Sequence, residues 1–290
     1  MLKKTIKLFN KPTKNLVRLT FSLGFVLLTT SFVSTKIGND ISKEKPSNDK
    51  KIIVLDPGHG GKDSGALGSL SKEKDVALQI CLALGKRLEQ ELPGTKVIFT
   101  RTTDVYPNLY ERPALANKHH ADLFVSVHLN SAGTTTRRVK NSKGRYVTRR
   151  ISNSSARGTE TFVLGYNSMH NQDVAIRENA SILLEENHEE NYGGFDPRDP
   201  SSYIVFKVLK RQNRDQSIRL AKLIQDEYAK SGRPNRGVKE LPLAVLKTAA
   251  MPAVLTEIGF ISNSAEEKYM MSDKGQAEIV NQLFNAIKKF

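Results

Sequence analysis

The 290-residue sequence contains a single cysteine, Cys81, so no disulfide can form within the chain. Cys81 lies between Ile80 and Leu82 in a helical pattern, where a small buried apolar side chain is expected. No neighbouring motif would lower the pKa of its thiol, which disfavours a nucleophilic role. The sequence also lacks a G-x-S-x-G motif, which disfavours a serine nucleophile of that type.

The body of the chain carries almost no net charge, although the formal net charge is +15. Residues 1–51 hold eleven Lys and Arg against three acidic residues (+8), and residues 133–157 hold eight against none (+8), which leaves −1 elsewhere. A nucleic-acid-binding face needs positive charge on the fold itself, so nucleic acid is not expected as a partner. Residues 133–157 are predicted to be a solvated basic loop, with contact to an anionic wall or membrane polymer as the functional alternative.

The sequence has no uncharged apolar run of the roughly 20 residues that a membrane-spanning helix needs. Basic residues precede a shorter apolar stretch at 19–33, a pattern typical of a secretory signal. Residues 1–35 are therefore predicted to be a signal peptide or a retained N-terminal anchor, and no cysteine follows that could carry a lipid. The polar residues 36–50 are predicted to be a linker. We expect an exported protein, periplasmic or associated with the cell envelope.

Residues 51–290 are predicted to form a single α/β domain. Short apolar strands are predicted at 52–55, 96–100, 123–127, 158–164, 243–246 and 253–256, and helices at 73–92, 110–120, 212–230, 264–271 and 275–290. Their alternation predicts a mostly parallel, twisted central sheet flanked by helices, with ligands beyond the carboxyl ends of the strands. A helical insertion is predicted at 171–209, with a helix at 174–184.

Two histidines and two glutamates lie at the ends of predicted elements. His59 follows the first strand, Glu73 begins the next helix, His128 ends the run DLFVSVH, and Glu257 follows the strand at 253–256. Two imidazoles and one carboxylate form the donor set of a catalytic zinc. Each residue alone also fits an ordinary structural role, such as a glutamate that complements a helix dipole. The run GHGGKDSG around His59 matches neither common phosphate-binding loop.

Four segments, LDPGHGGKDSGALG, SKEKDVAL, ADLFVSVHLNSA and MPAVLTEIGFISN, resemble in this order the signature segments of the zinc-dependent N-acetylmuramoyl-L-alanine amidases of the family-3 type. The resemblance covers roughly residues 51–290. It implies that His59, Glu73 and His128 bind one Zn²⁺ and that Glu257 is the catalytic carboxylate. It also implies hydrolysis of the amide between the lactyl group of N-acetylmuramic acid and L-alanine in peptidoglycan, with Glu257 accepting and returning the proton.

The insertion resembles that of the division-associated amidases of Gram-negative bacteria, where an extra helix occludes the zinc until an activator protein displaces it. This resemblance implies a role in cell-wall remodelling and daughter-cell separation, with an activator protein as a partner. Glu178, in Arg-Glu-Asn-Ala, is the carboxylate that would fill the open zinc position. A surface helix without a regulatory role is the alternative. The protein is expected to be a monomer.

The ligand set alone does not decide the reaction. A zinc carboxypeptidase or deacetylase could act on the same polymer, and a secreted wall-binding protein could carry a vestigial site. A glycosidase would need two carboxylates, such as Asp56 and Glu257, but that pairing leaves both histidines unexplained. Asp56 is instead predicted to organise the Pro57-Gly58 turn, and Arg101, Asp104 and Arg112 are predicted to have a structural ion-pair role.

Overall fold

The computed structural model describes residues 50–290, except residues 133, 143, 153–154, 167–171 and 209–212. The signal peptide or anchor predicted at 1–35 and nearly all of the predicted linker at 36–50 lie outside the described residues. Within the described part of the chain, no helix combines the length and the apolar character needed to cross a membrane.

Strands and helices alternate along the described chain. The strands are β1 (Lys51–Pro57), β2 (Thr95–Phe99), β3 (Leu123–Asn130), β4 (Thr134–Lys140), β5 (Tyr146–Ser152), β6 (Thr159–Leu164), β7 (Asn235–Leu241) and β8 (Ala253–Phe260). The helices are α1 (Glu73–Glu91), α2 (Glu111–Lys118), α3 (Gln172–Asn179), α4 (His188–Asn191), α5 (Val205–Val208), α6 (Arg214–Ala229), α7 (Ser264–Met271) and α8 (Asp273–Lys289). Short 3-10 helices cover Ala180–Leu184, Pro200–Ile204 and Ala244–Leu246.

The central sheet has six strands in the order β2-β1-β3-β8-β6-β7. The first four are parallel, whereas β6 runs antiparallel to β8 and parallel to β7. The predicted α/β fold with a mostly parallel sheet is therefore confirmed. The edge strand β7 was not predicted, because NRGVKEL neither alternates nor forms an apolar run, as suits its half-exposed position. The strand predicted at 243–246 is wrong, since a short buried apolar run also fits a 3-10 turn.

Apolar side chains alternate between the two faces of the sheet. Ile53 and Leu55 belong to one core with residues of α1, α6 and α8, whereas Val54 belongs to a second core with residues of α2 and the insertion. The predicted four-residue spacing of α1 is confirmed, because its apolar stripe is at most 2% exposed: Val76, Ile80, Leu84 and Leu88. Both faces of the sheet are thus covered, which leaves its strand ends for function.

Residues 133–157, predicted as a basic loop, contain a separate two-stranded antiparallel sheet formed by β4 and β5. The ring of Tyr146 lies 5.8 Å from the guanidinium of Arg138 and 5.4 Å from the ammonium of Lys140. The loop prediction is wrong here because the many charges concealed recurring Thr, Val and Tyr residues, which favour strands. Contact with an anionic polymer stays a prediction.

Asp56 ties the end of β1 to its surroundings. Its fully buried carboxylate accepts hydrogen bonds from three side chains: Thr100 Oγ1 (2.6 Å), Ser126 Oγ (2.6 Å) and Arg112 Nη1 (2.9 Å). Arg112 also donates to the carbonyl of Pro57. The predicted ion pair of Arg112 is therefore confirmed, and Asp56 is linked to the turn through Arg112.

We expect Asp56→Asn to reduce the pH dependence of the free energy of unfolding at acid pH. Burial alone would raise the pKa of Asp56, but Arg112, Ser126 and Thr100 together lower it below its ordinary value. Because the folded-state pKa lies below that of the unfolded chain, the carboxylate stabilises the fold fully above about pH 4, and this stabilisation is lost as the pH falls through the folded-state pKa. Urea unfolding at a series of pH values measures the effect.

The wild-type free energy of unfolding should fall more steeply below about pH 4 than that of Asp56→Asn. Asp226→Asn, an exposed substitution on α6, serves as the matched control and should keep the wild-type slope. Equal slopes for wild type and Asp56→Asn would contradict this account of the buried pair.

Candidate metal centre

The turn after β1 places His59. This residue has a left-handed backbone conformation, with φ +59°, which is uncommon outside glycine. Arg112 donates to the His59 carbonyl (3.0 Å), and Arg101 donates to the carbonyls of Pro57 (3.0 Å) and Gly58 (2.7 Å). Arg101 therefore holds backbone carbonyls rather than forming the predicted ion pair. Both arginines stabilise the turn that carries His59.

The pairing of β3 with β8 places His128 beside Glu257, because the two residues are Cα partners in the parallel register. Both were predicted at strand ends, but β3 continues to Asn130 and β8 to Phe260, since apolar residues follow and extend the pairing. Glu73 is the first residue of α1, as predicted, and is fully buried.

Two glycines allow these side chains to approach one another. A Cβ at Gly58 would lie 2.5 Å from the ring of His128, and a Cβ at Gly65 would lie 2.5 Å from His59 Cδ2 and 2.7 Å from Glu73 Oε2. Any larger residue would push these groups apart. The glycine-rich run thus serves close packing around the two histidines.

Four buried side chains direct one ligand atom each toward a common point. Nε2 of His59 lies 3.2 Å from Glu73 Oε1 and 3.4 Å from Glu178 Oε2. Nδ1 of His128 lies 3.1 Å from Glu73 Oε1 and 2.8 Å from Glu178 Oε2. All four ligand atoms lie within 4.8 Å of one another. The structure therefore brings the three predicted metal ligands together with Glu178, the residue of the insertion that was predicted to fill the open zinc position.

The donor set fits the Zn²⁺ that the resemblance implies. Ligands at about 2.0–2.1 Å from a tetrahedral ion lie about 3.3–3.4 Å apart. The four histidine–carboxylate separations run from 2.8 to 3.4 Å, and all the ligand atoms lie within 4.8 Å of one another. Among the described residues, His59 Nε2 and Glu178 Oε2 are buried without a hydrogen-bond partner. A cation would satisfy both atoms, whereas a purely structural polar cluster would leave them unpaired.

Further polar contacts orient the predicted ligands. Nδ1 of His59 lies 2.7 Å from Asp63 Oδ2, which leaves Nε2 facing the cluster. The carboxylate of Glu73 accepts hydrogen bonds from the backbone N–H groups of Ala66 and Leu129, both at 2.8 Å. The role of Asp63 was not predicted, although its position four residues after His59, among glycines, was the available signal.

The charges of the four groups are mutually dependent. Burial disfavours the charged form of His59, but Glu73, Asp63 and Glu178 outweigh it and raise the pKa of His59 well above its ordinary value. Burial likewise opposes the charge on His128, while Glu178 and Glu73 raise its pKa to about 9. The pKa values of Glu73 and Glu178 are lowered despite their burial, chiefly by His59 and His128 respectively. Since Zn²⁺ requires neutral imidazoles, metal binding would displace protons here.

Glu257 is fully buried beside this cluster. Its Oε1 accepts a hydrogen bond from Arg177 Nη2 (3.1 Å), whereas Oε2 has no hydrogen-bond partner among the described residues. Burial raises the pKa of Glu257 well above its ordinary value; Arg177 opposes this shift, and Glu178 and Glu73 add to it. A nearby divalent cation would favour the ionised form.

The insertion delivers Glu178 through α3, which ends at Asn179 and continues as a 3-10 helix at Ala180–Leu184. Ser181 Oγ donates to Asp63 Oδ2 (2.7 Å), the same oxygen that contacts His59. The buried carboxylate of Glu185 accepts three hydrogen bonds: from Leu109 N (2.8 Å), Tyr106 OH (3.1 Å) and Tyr192 OH (2.7 Å). Polar contacts therefore anchor α3 over the cluster.

We expect Asp63→Ala to weaken zinc binding about 10- to 100-fold, because His59 would lose the carboxylate that orients its ring. Competition with a fluorescent chelator measures the dissociation constant. Asp75→Ala, the same change at an exposed position of α1, is the matched control and should bind zinc as wild type does. Equal zinc affinity in both variants would show that Asp63 does not support the metal.

Comparison with known proteins shows which family the sequence matches. The model of the Amidase_3 family, described as N-acetylmuramoyl-L-alanine amidase, matches residues 53–289. AmiC of Escherichia coli O6:H1, named N-acetylmuramoyl-L-alanine amidase, is 31% identical over 252 residues, which are 85% of this chain and 54% of that protein. AmiA of Escherichia coli K12, with the same activity in its name, is 29% identical over 278 residues, covering 90% and 87%. The chain thus spans about half of AmiC but most of AmiA.

Solved structures show the same fold. An N-acetylmuramoyl-L-alanine amidase from Clostridium difficile 630 superimposes with a TM-score of 0.57 at 26% identity, covering 84% of this chain and 97% of that one. The CwlD amidase from Clostridioides difficile, solved in complex with the GerS lipoprotein, has a TM-score of 0.56 at 25% identity, with coverages of 82% and 97%.

Proposed function

The chain belongs to the N-acetylmuramoyl-L-alanine amidase family, and from this premise we propose that it hydrolyses the amide bond between the lactyl group of N-acetylmuramic acid and L-alanine in peptidoglycan. One observation carries the proposal: His59, Glu73 and His128 converge on one point, with Glu257 as the strand neighbour of His128. A bound metal, a water and a carboxylate beside them suffice for amide hydrolysis without a covalent intermediate.

His59 Nε2, Glu73 Oε1 and His128 Nδ1 would hold one Zn²⁺. The ion would supply Lewis-acid chemistry and lower the pKa of a ligated water toward about 7. Asp63 keeps the ring of His59 in place through Nδ1. The backbone N–H of Ala66 fixes the second oxygen of Glu73, so that Oε1 stays directed at the cluster.

Glu257 serves first as general base and then as general acid. Its unpartnered Oε2 takes a proton from the attacking water, whose oxygen forms a bond to the lactyl carbonyl carbon. As the bond between that carbon and nitrogen breaks, Glu257 returns the proton to the departing L-alanine nitrogen. Burial raises the pKa of Glu257, and a bound Zn²⁺ would oppose this shift and favour the ionised form that a general base needs.

The insertion would keep the enzyme inactive. Glu178 Oε2 lies 2.8 Å from His128 Nδ1, within the ligand cluster. Arg177 donates a hydrogen bond to the carboxylate of Glu257. Glu178 would thus take the coordination position that water needs until an activator protein displaces α3. The complex of the CwlD relative with the GerS lipoprotein supports a protein partner for this fold.

The proposal extends to the setting of the activity. An exported monomer with residues 1–35 as signal peptide or anchor, 36–50 as linker and 51–290 as catalytic domain would act in the periplasm or cell envelope. The insertion at 171–209, which resembles that of division-associated amidases, supports a role in cell-wall remodelling and daughter-cell separation.

Zymography on purified sacculi tests the metal mechanism. The full chain carrying Glu178→Ala should clear the sacculi, lose this activity with a chelator and regain it with added Zn²⁺. Clearing that a chelator leaves unchanged would exclude the proposed mechanism. A folded, zinc-loaded protein that binds sacculi without clearing them would support the wall-binding alternative instead.

A further inference from the structure

One guanidinium from the insertion satisfies three acceptors that belong to the catalytic core. Nη1 of Arg177 donates to Asn130 Oδ1 (3.1 Å) and to the carbonyl oxygen of Ser131 (2.9 Å). Nη2 donates to Glu257 Oε1 (3.1 Å). Asn130 and Glu257 belong to neighbouring strands, β3 and β8. The core therefore presents a converging set of acceptors, and the insertion supplies the donor.

The amide of Asn130 is oriented independently of the insertion. Its Nδ2 donates to Glu160 Oε2 (2.8 Å), and Glu160 in turn accepts from Arg236 Nε (2.7 Å) and Lys239 Nζ (2.6 Å). Because an ionised carboxylate only accepts hydrogen bonds, the nitrogen of Asn130 must face Glu160 and its oxygen must face the site. Strands β6 and β7 supply this brace, so the acceptor stays in place when α3 leaves.

Acceptors held in this way need a donor when substrate is bound as well. Asn130 is 2% exposed with α3 in place. Once α3 leaves, water can donate to its oxygen, and a substrate that displaces this water must supply a donor itself, because a buried oxygen without a partner is costly. The acceptors from Asn130 and Ser131 are a neutral amide oxygen and a backbone carbonyl, which suit an amide N–H. Both acceptors lie close to Glu257, because the guanidinium of Arg177 bonds them and the Glu257 carboxylate at the same time. Such a donor would therefore lie next to the bond that is cleaved.

We infer that Asn130 Oδ1 and the Ser131 carbonyl form a substrate subsite for an amide N–H flanking the scissile bond, which Arg177 fills in the resting protein. The inference rests on the proposed function. The substrate offers two such groups: the N–H of the residue after L-alanine and the acetamido N–H of the muramic acid. Arg177 is then a substitute for the substrate's donor, and α3 blocks the substrate subsite together with the metal position.

Kinetics in the full chain carrying Arg177→Ala and Glu178→Ala test the subsite, since that background leaves the acceptors free. The reference substrate is N-acetylmuramoyl-L-alanyl-D-isoglutamine. Adding Asn130→Ala should raise KM about tenfold, the effect of one lost hydrogen bond, with a smaller change in kcat. Asn281→Ala, an exposed substitution on α8, is the matched control and should leave KM unchanged. Zinc content should be equal in all these variants.

Two modified substrates identify the donor. One carries an N-methyl group on the nitrogen after L-alanine, and the other carries an acetate ester in place of the acetamido group. The modification that removes the true donor should cost about tenfold in the parent background and little more once Asn130 is alanine. If the effects of Asn130→Ala and of one modification are not additive, the N–H that this modification removes is the donor. If Asn130→Ala costs the same factor with all three substrates, its role is structural and the inference is overturned.

Binding measurements test the subsite independently of the proposed hydrolytic activity. The dissociation constants of the same three compounds are measured by calorimetry on the background that also carries Glu257→Ala, which does not hydrolyse them. The same coupling is expected for binding. If the parent background binds and shows coupling but does not hydrolyse the reference substrate, the amidase proposal fails and the subsite stands. Binding without coupling would overturn the subsite alone.

Discussion

Added to the full chain carrying Glu178→Ala, Glu257→Gln should abolish peptidoglycan hydrolysis and leave zinc bound at one ion per chain. The substitution keeps the size of the side chain but removes the oxygen that takes the proton from water, so we expect a loss of at least about 10²- to 10⁴-fold in kcat. Zinc binding should persist, because the ligand cluster of His59, Glu73, His128 and Glu178 does not include Glu257. Metal analysis and turnover are measured on the same samples.

His59→Ala and His128→Ala are the comparison for that experiment. Each removes a ligand nitrogen from the centre of the cluster, so both should lose zinc and activity together. Unfolding transitions show whether each variant is folded. Equal loss of zinc in all three variants would mean that Glu257 is a ligand rather than the base.

Glu178→Ala should raise basal activity, by about tenfold or more, because it removes the carboxylate that contacts both ligand histidines. Steady-state hydrolysis of the soluble muropeptide, without any added partner, measures this effect. Glu186→Ala, a change at an exposed position of the same insertion, is the matched control and should keep the wild-type rate.

The point substitution is a sharper experiment than removing residues 171–209. The insertion contributes three buried aromatic residues to the core that contains Val54: Phe195, Tyr203 and Phe206. Deletion would expose this apolar surface, so the effect of unfolding on activity could not be separated from the effect of released inhibition. A folded Glu178→Ala protein with an unchanged or lower rate would contradict the inhibitory role.

The convergence of His59, His128 and Glu257 could be predicted because parallel strands place their carboxyl ends at one edge, whereas the roles assigned to them and to Glu73 came from the family resemblance. His59, His128 and Glu257 each follow or lie within an apolar run, and apolar runs are the strongest local signal for strands. The pairing of His128 with Glu257 could not be predicted, since strand order depends on contacts between distant residues. Glu178 was identified from the resemblance of the insertion rather than from any local pattern.

Other features depend on contacts that a single sequence does not display. The brace formed by Glu160 behind Asn130 joins three strands and leaves no local signal. Asp63 lies in a glycine-rich run where a carboxylate has many ordinary roles. The two-stranded sheet formed by β4 and β5 was missed because its charges suggested a solvated loop, and, among the strands that the structure describes, these two pair only with each other.

The N-termini of the products test the central claim most directly. Purified sacculi are digested with the full chain carrying Glu178→Ala, with Zn²⁺ or with a chelator, and the released peptides are analysed by mass spectrometry and amino-terminal labelling. We predict intact glycan strands and free stem peptides with a new L-alanine amino terminus, formed only when zinc is present. Release of carboxyl-terminal residues, loss of acetyl groups, or L-alanine termini that form equally with chelator would contradict a zinc amidase built on His59, Glu73, His128 and Glu257.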